Sequence, residues 1–183
     1  GQICMTTGRH IVHESLHDEY VALLAEKASH LPVGDPATGQ VALGPLIDAN
    51  QTARVKAIVD ATVAAGATLA AGGTHEGNYF KPTVLSNLSP EMSAWKDEIF
   101  GPVAPVIKFS TTEEAIALAS DGDYGLSLGI LGDVGEAMKI ADAINSGIIH
   151  INEQTVSDEA NIPFGGVGAS GTGSRFGGAK ANI

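Results

Sequence analysis

Apolar and polar positions along the chain change period several times, and each change marks an element. Arg9–Glu14, "RHIVHE", is a short β-prone run. Behind it, Ser15 and Asp18 form an S-x-x-D capping pattern, and Leu16, Tyr20, Leu23, Leu24 and the Lys27–Ala28 pair recur at helical spacing. Gly34, Pro36, Gly39, Gly44 and Pro45 then predict an irregular loop. Asp48, with Gln51 three residues on, opens a second helix that carries Val55, Ile58, Val59, Thr62 and Val63 on one face and stops at Gly66. "ATLAAGG" is a weak strand, and "KPTVLSN" and "PVAPVIKFS" are stronger ones. Thr111 and Glu114 cap a helix that runs through Ala119. "LSLGILG" is apolar enough for a strand buried on both faces. Asp133 and Glu136 cap the next helix, Gly147 ends it, and "GIIHIN" is another buried strand. This alternation from residue 103 to 152 predicts βαβ units, hence an α/β fold with a mostly parallel open sheet flanked by helices. After Asn152 the chain becomes a long glycine-rich loop.

Composition narrows the classes. A length of 183 residues suits one domain, and 44% apolar with 17% charged residues describes an ordinary globular chain. A formal charge of −11 argues against nucleic acid or an anionic membrane as partner, because phosphates are repelled. No stretch approaches the roughly 18 consecutive apolar residues of a membrane span, and no secretory signal opens the chain. The single cysteine forms no intrachain disulfide, in keeping with a cytoplasmic location. Gly1 at the start and "GGAKANI" at the end suggest that both ends are cut from a larger protein.

Three candidate chemistries compete. His13, Glu14 and His17 spell H-E-x-x-H, which in a zinc hydrolase needs both histidines one helical turn apart. Ser15 reads as the N-cap, which leaves His13 and Glu14 in the extended segment. The reading adopted is therefore a strand-to-helix corner with two surface histidines, and no metal site. Gly166, Gly168 and Gly171 match G-x-G-x-x-G, but Pro163–Phe164 precedes them, and Gly171, Gly173, Gly177 and Gly178 make a poor helix. A tight turn with close backbone packing is the plainer account. Cys4 is either a small buried apolar residue or a nucleophile. Gly1–Gln2 before it and Met5–Gly8 after it predict a short helical turn ended by Gly8, whose amides would favour a thiolate and bind an oxyanion. Ile3 and Met5 would then line a pocket for an uncharged substrate.

Six stretches carry a resemblance. "GQICMTTGRHIVHES", "VGDPATGQVALGPLI", "FKPTVLSNLSPEMSAWKDEIFGPVAPVIKF", "DYGLSLGIL", "SGIIHIN" and "IPFGGVGASGTG" resemble, in order, the catalytic half of NAD(P)-dependent aldehyde dehydrogenases. "INEQTVSDEANIPFGGVGASGTGSRFGG" is most similar to the aromatic-aldehyde branch, the benzaldehyde, vanillin and salicylaldehyde type. The resemblance implies that Cys4 is the catalytic nucleophile and that its amide helps to hold the oxyanion. An aldehyde is the substrate, and a thiohemiacetal and then a thioester form on the sulfur before water releases the acid. It also implies that Glu98 hydrogen-bonds the nicotinamide-ribose hydroxyls of NAD or NADP and that Phe100 packs beside that ribose. Ile3, Met5 and Phe164 match positions that shape the aldehyde tunnel. Without the resemblance, Glu98 reads as an exposed carboxylate, and Phe100 and Phe164 as core. The family's dinucleotide-binding half is absent from residues 1–183, and its final assembly strand is expected to be cut off after Ile183. The resemblance thus implies a truncated catalytic domain, inactive alone, from an enzyme that forms homo-oligomers. A non-catalytic assembly module is the other alternative.

Overall fold

The structure, a computed structural model, describes residues 1–173 and 177. They form two compact units, one of Gly1–Ile3 with Gly8–Ser110 and one built from Cys4–Thr7 with the described chain from Thr111 onward. Gly178 and Ile183 lie outside the described residues.

The first unit begins with strand β1 (His10–His13) and runs directly into helix α1 (Glu14–His30). The cap differs from the expected one. His13, not Ser15, is the N-cap, and its Nδ1 accepts the Ser15 amide at 3.2 Å while lying 2.8 Å from Ser15 Oγ. An imidazole nitrogen can accept an orphan amide as a serine oxygen does, so the helix starts one residue before Ser15. The buried face matches the expected one at Tyr20, Leu24 and Ala28 but departs from it elsewhere. His17 and Ala28 are buried, and Tyr20, Val21 and Leu24 pack on the core, whereas Leu16 and Leu23 are exposed. Position relative to the sheet, which periodicity alone does not give, decides which stripe is covered.

Helix α2 (Ala49–Ala64) starts as expected, with the Asp48 carboxylate accepting the Gln51 amide at 2.8 Å. It buries Thr52, Val55, Ile58, Val59 and Thr62, while Val63 stays exposed. Each buried Val or Ile side chain contributes about 1.5–3 kcal/mol. Strands β2 (Thr68–Ala71), β3 (His75–Glu76), β4 (Tyr79–Phe80) and β5 (Thr83–Ser86) follow, then helix α3 (Ser93–Lys96) and strand β6 (Val103–Phe109). The β3–β4 hairpin and α3 are too short to show a period in the sequence.

A four-stranded open sheet has the order β1-β6-β5-β2, with β1–β6 and β5–β6 parallel and β2–β5 antiparallel. Val84 and Val106 meet Ala28 of α1 in its core. The fold is α/β with a mostly parallel open sheet, as the sequence predicts.

The second unit holds α4 (Thr112–Ser120), β7 (Tyr124–Gly125), β8 (Ser127–Ile130), α5 (Val134–Ala143), β9 (Ile148–Ile151) and β10 (Val167–Gly168). Both expected caps are present: Thr111 accepts the Glu114 amide and Asp133 accepts the Glu136 amide. Helix α5 ends at Ala143 with Ile144 as its C-cap, before the expected stop at Gly147. Strands β8 and β9 pair in parallel across α5, a βαβ unit as predicted. The wider expectation needs correction. Strand β6 does not continue into this pair, because its described partners are β1 and β5. Nor are β8 and β9 fully buried: most of their residues are half-exposed, since each has only the other as described ladder partner. No helix among the described residues is long and apolar enough to cross a membrane.

One buried hydroxyl ties α2 to α3. Thr62 Oγ1 donates to the Ile58 carbonyl at 2.7 Å and accepts the Ala94 amide at 3.0 Å, all of it buried. Thr62→Val preserves shape and strands the Ala94 amide, so the unfolding free energy in urea is expected to fall by about 1–3 kcal/mol. An unchanged midpoint and slope would show that this amide finds another partner.

Candidate active site

Irregular backbone carries Ile3, Cys4, Met5, Glu98 and Phe100, and long-range side-chain hydrogen bonds hold the segments around them. Gln2 grips the loop before α2 at both ends of its amide. Its Nε2 donates to the Pro45 carbonyl and its Oε1 accepts the Ile47 amide, both at 3.0 Å. Ile3, next in the chain, is exposed. On the other side, Arg9 Nε donates to the Trp95 carbonyl at 3.0 Å, and its guanidinium lies 4.6 Å from the Trp95 ring centre. That geometry adds cation–π attraction to the hydrogen bond.

Cys4 and Met5 form a single turn rather than the expected helical turn ending at Gly8. With no helix start there, the argument from aligned helix amides no longer applies to the thiol. Cys4 is exposed and unbridged. Met5 is buried, and its carbonyl accepts the Thr155 hydroxyl at 2.6 Å. Phe164, in the same unit, is half-buried.

Glu98 and Phe100 belong to the first unit, with Ile3. Both are exposed, and Ile99 between them is buried. Phe100 has φ +50°, a left-handed conformation that is unfavourable for a bulky residue. Helix α2 holds this peptide run. Gln51 Nε2 donates to the Ile99 and Phe100 carbonyls at 2.9 Å each. Arg54 donates to the Ile99 carbonyl at 3.0 Å and to the Glu98 carbonyl at 2.6 Å. Gly101 then passes so close to α2 that a β-carbon there would sit 2.8 Å from Val55 Cγ2. The result is a carboxylate and an aromatic ring two residues apart, both exposed on a fixed backbone. An exposed carboxylate is a hydrogen-bond acceptor and an exposed ring offers a packing face.

Gln2, Gln51, Arg54 and Thr155 are the residues that sequence reasoning missed. Gln51 and Arg54 lie three apart on α2, on the side toward residues 98–101. Only that one-turn spacing could have pointed to them, because their acceptors are carbonyls more than forty residues away.

The rival motifs take other roles. His13 is the cap of α1, and its Nδ1 is occupied by Ser15. His17 is buried, against the expectation of a surface histidine, with Nδ1 2.9 Å from Asp18 Oδ1. It is covered because it falls on the packed stripe of α1. Among the described residues, no group of three or more His, Cys, Asp and Glu side chains could hold a metal ion. In the G-x-G-x-x-G stretch, Val167–Gly168 pairs antiparallel with β7 and a turn follows in place of a helix. Gly168 has φ +60°, and a β-carbon there would overlap the Asp123 carbonyl. Close backbone packing is the role these glycines serve.

Residues 1–182 match the model of the aldehyde dehydrogenase family. The chain belongs to this family. It is 60% identical over 184 residues to the vanillin dehydrogenase of an Amycolatopsis species, covering all of this chain and 38% of that protein. It is 48% identical over 179 residues to a benzaldehyde dehydrogenase [NAD(+)] of Pseudomonas putida, covering 97% of this chain and 37% of that one. Among solved structures it is similar to a salicylaldehyde dehydrogenase from Pseudomonas putida G7 complexed with salicylaldehyde. The TM-score is 0.94 at 38% identity, over 99% of this chain and 38% of that chain. The chain therefore spans less than two-fifths of the length of the relatives it matches.

The α2 contacts generate an expectation for this family member. Replacing both Gln51 and Arg54 by Met removes all four bonds to residues 98–100 while keeping helix-compatible side chains. Hydrogen–deuterium exchange across 98–101 should accelerate, with stability falling by about 1 kcal/mol or more. Exchange unchanged in that segment would mean that other contacts fix the loop.

Proposed function

We propose that this chain is the nucleophile-bearing catalytic domain of a longer NAD(P)-dependent aldehyde dehydrogenase that oxidises an aromatic aldehyde to its carboxylic acid. The observation that carries the reading is Cys4, the single cysteine, exposed on a turn whose next residue is anchored, within a chain that matches the family from end to end. The relatives named for vanillin, benzaldehyde and salicylaldehyde support the substrate class. The chain's share of those relatives supports a dinucleotide-binding half supplied by the rest of the protein.

In this reading the Cys4 thiolate adds to the aldehyde carbon, and the carbonyl oxygen becomes an oxyanion that the Cys4 amide helps to stabilise. A nicotinamide dinucleotide, when bound, accepts the hydride whose loss turns the Cys4 thiohemiacetal into a thioester. Water then attacks the acyl carbon, the C–S bond breaks, and Cys4 regains its thiol as the carboxylic acid leaves. Glu98 would accept hydrogen bonds from the ribose hydroxyls of that dinucleotide, and Phe100 would pack beside the sugar. Ile3, Met5 and Phe164 shape the approach of the aldehyde. The enzyme is read as a cytoplasmic homo-oligomer. A single unbridged cysteine fits that location, and exposed Leu131, Val134 and Met138 offer apolar surface for assembly.

In the enzyme carrying this chain, Cys4→Ser is expected to lower benzaldehyde oxidation by more than about 10³-fold, the scale of losing a nucleophile. The 183-residue chain by itself is expected to show no turnover with NAD or NADP. Spectrophotometric assay of reduced cofactor checks both, and turnover that survives Cys4→Ser would sink the assignment.

A further inference from the structure

The turn that carries Cys4 lies outside both helix and sheet, so something else must fix it. The side-chain hydrogen bonds described for residues 4–7 both run to Thr155, which is buried in the segment after β9. Thr155 Oγ1 donates to the Met5 carbonyl at 2.6 Å. A threonine hydroxyl has one proton, so once it is committed there, the 3.0 Å contact with Thr7 Oγ1 must run the other way. Thr7 donates and Thr155 accepts. The single Thr155 oxygen thus engages the turn at two points, the second residue of the turn and the residue that leads out of it.

Thr155 is itself held. Its carbonyl accepts Ser127 Oγ at 2.8 Å, from the first residue of β8. Its methyl lies over Gly129, where a β-carbon would come within 3.1 Å, so the bare backbone of β8 leaves room for it. Strand β8 is paired in register with β9, and Asn152 locks the end of that pair by bonding both the amide and the carbonyl of Gly132. A chain of contacts therefore runs from a paired strand through one hydroxyl to the peptide beside the cysteine, all within the second unit.

We propose that Thr155 is a positioning residue for Cys4: its hydroxyl fixes the Met5 carbonyl and Thr7, and so fixes where the thiolate stands when it attacks. The inference rests on the reading of Cys4 as the nucleophile. Attack needs the sulfur within a narrow range of distance and angle, and a displacement of about 1 Å can cost on the order of 10²-fold in rate. Its hydroxyl is spent on the Met5 carbonyl and on Thr7, so the role assigned to it is to place the turn.

The test uses the enzyme that carries this chain, with Thr155→Val, Thr155→Ser and Cys4→Ser side by side. Thr155→Val keeps shape and loses both hydroxyl bonds, so kcat should fall on the order of 10- to 100-fold with KM little changed. Thr155→Ser restores the hydroxyl and should return kcat to within about threefold of the parent, a recovery that a purely packing role for the methyl does not produce. Should Thr155→Val fail to fold, Ser127→Ala carries the same question, since it loosens Thr155 and leaves its hydroxyl. An intermediate fall in kcat, of several-fold order, is expected there. A Thr155→Val enzyme with parental kcat overturns the inference, as does a Thr155→Ser enzyme as slow as Thr155→Val or, where Thr155→Val is unfolded, a Ser127→Ala enzyme with parental kcat. Activity that survives Cys4→Ser is a different failure: it removes the nucleophile assignment, and the positioning role with it.

Discussion

Backbone that leaves helix and sheet must still find partners for its amides and carbonyls, and here long-range side chains supply them. The clearest case is helix α2. Three consecutive carbonyls, at Glu98, Ile99 and Phe100, take their donors from Gln51 and Arg54. The helix can serve as a platform because Val55, Ile58 and Val59 seat it in the core and Asp48 caps its first turn. Phe100 would not hold a left-handed backbone without this support, since such a conformation costs about 1–3 kcal/mol for a residue with a large side chain. The exposed carboxylate and ring of that loop owe their fixed stations to a helix that holds only their backbone.

The same constraint shapes the segment around Cys4, through different residues. Gln2 acts as a two-point clamp on the Pro45–Ile47 backbone, and Arg9 combines a carbonyl bond with stacking on Trp95. In the second unit, Thr155 takes the carbonyl of Met5. Each is a single residue that makes two contacts, and loss of Gln2 in particular releases two backbone points at once.

Family membership and geometry constrain different things. The match over residues 1–182 assigns the chain to aldehyde dehydrogenases without saying how a thiol is held on a turn. The hydrogen bonds do say that. They also show why two eye-catching motifs do other work. H-E-x-x-H caps and packs a helix, and G-x-G-x-x-G lets one backbone pass another.

Much was legible in the sequence. Helix starts at Asp48, Thr111 and Asp133 were readable because a cap bonds an amide three residues away, a purely local event. The strands at 83–86, 103–109 and 148–151 were readable as apolar β-prone runs. Other features were decided only in three dimensions. Periodicity gave Tyr20, Leu24 and Ala28 of the packed stripe of α1, but only the sheet decided that His17 and Val21 join them while Leu16 and Leu23 stay exposed. The alternation after residue 103 suggested one sheet, yet β6 pairs with β1 and β5 while β8 pairs with β9. The roles of Gln51, Arg54 and Thr155 were invisible for the same reason. A cap's partner lies within one turn of chain, whereas the partners of these side chains are carbonyls 44 to 150 residues away, at distances that only tertiary folding closes.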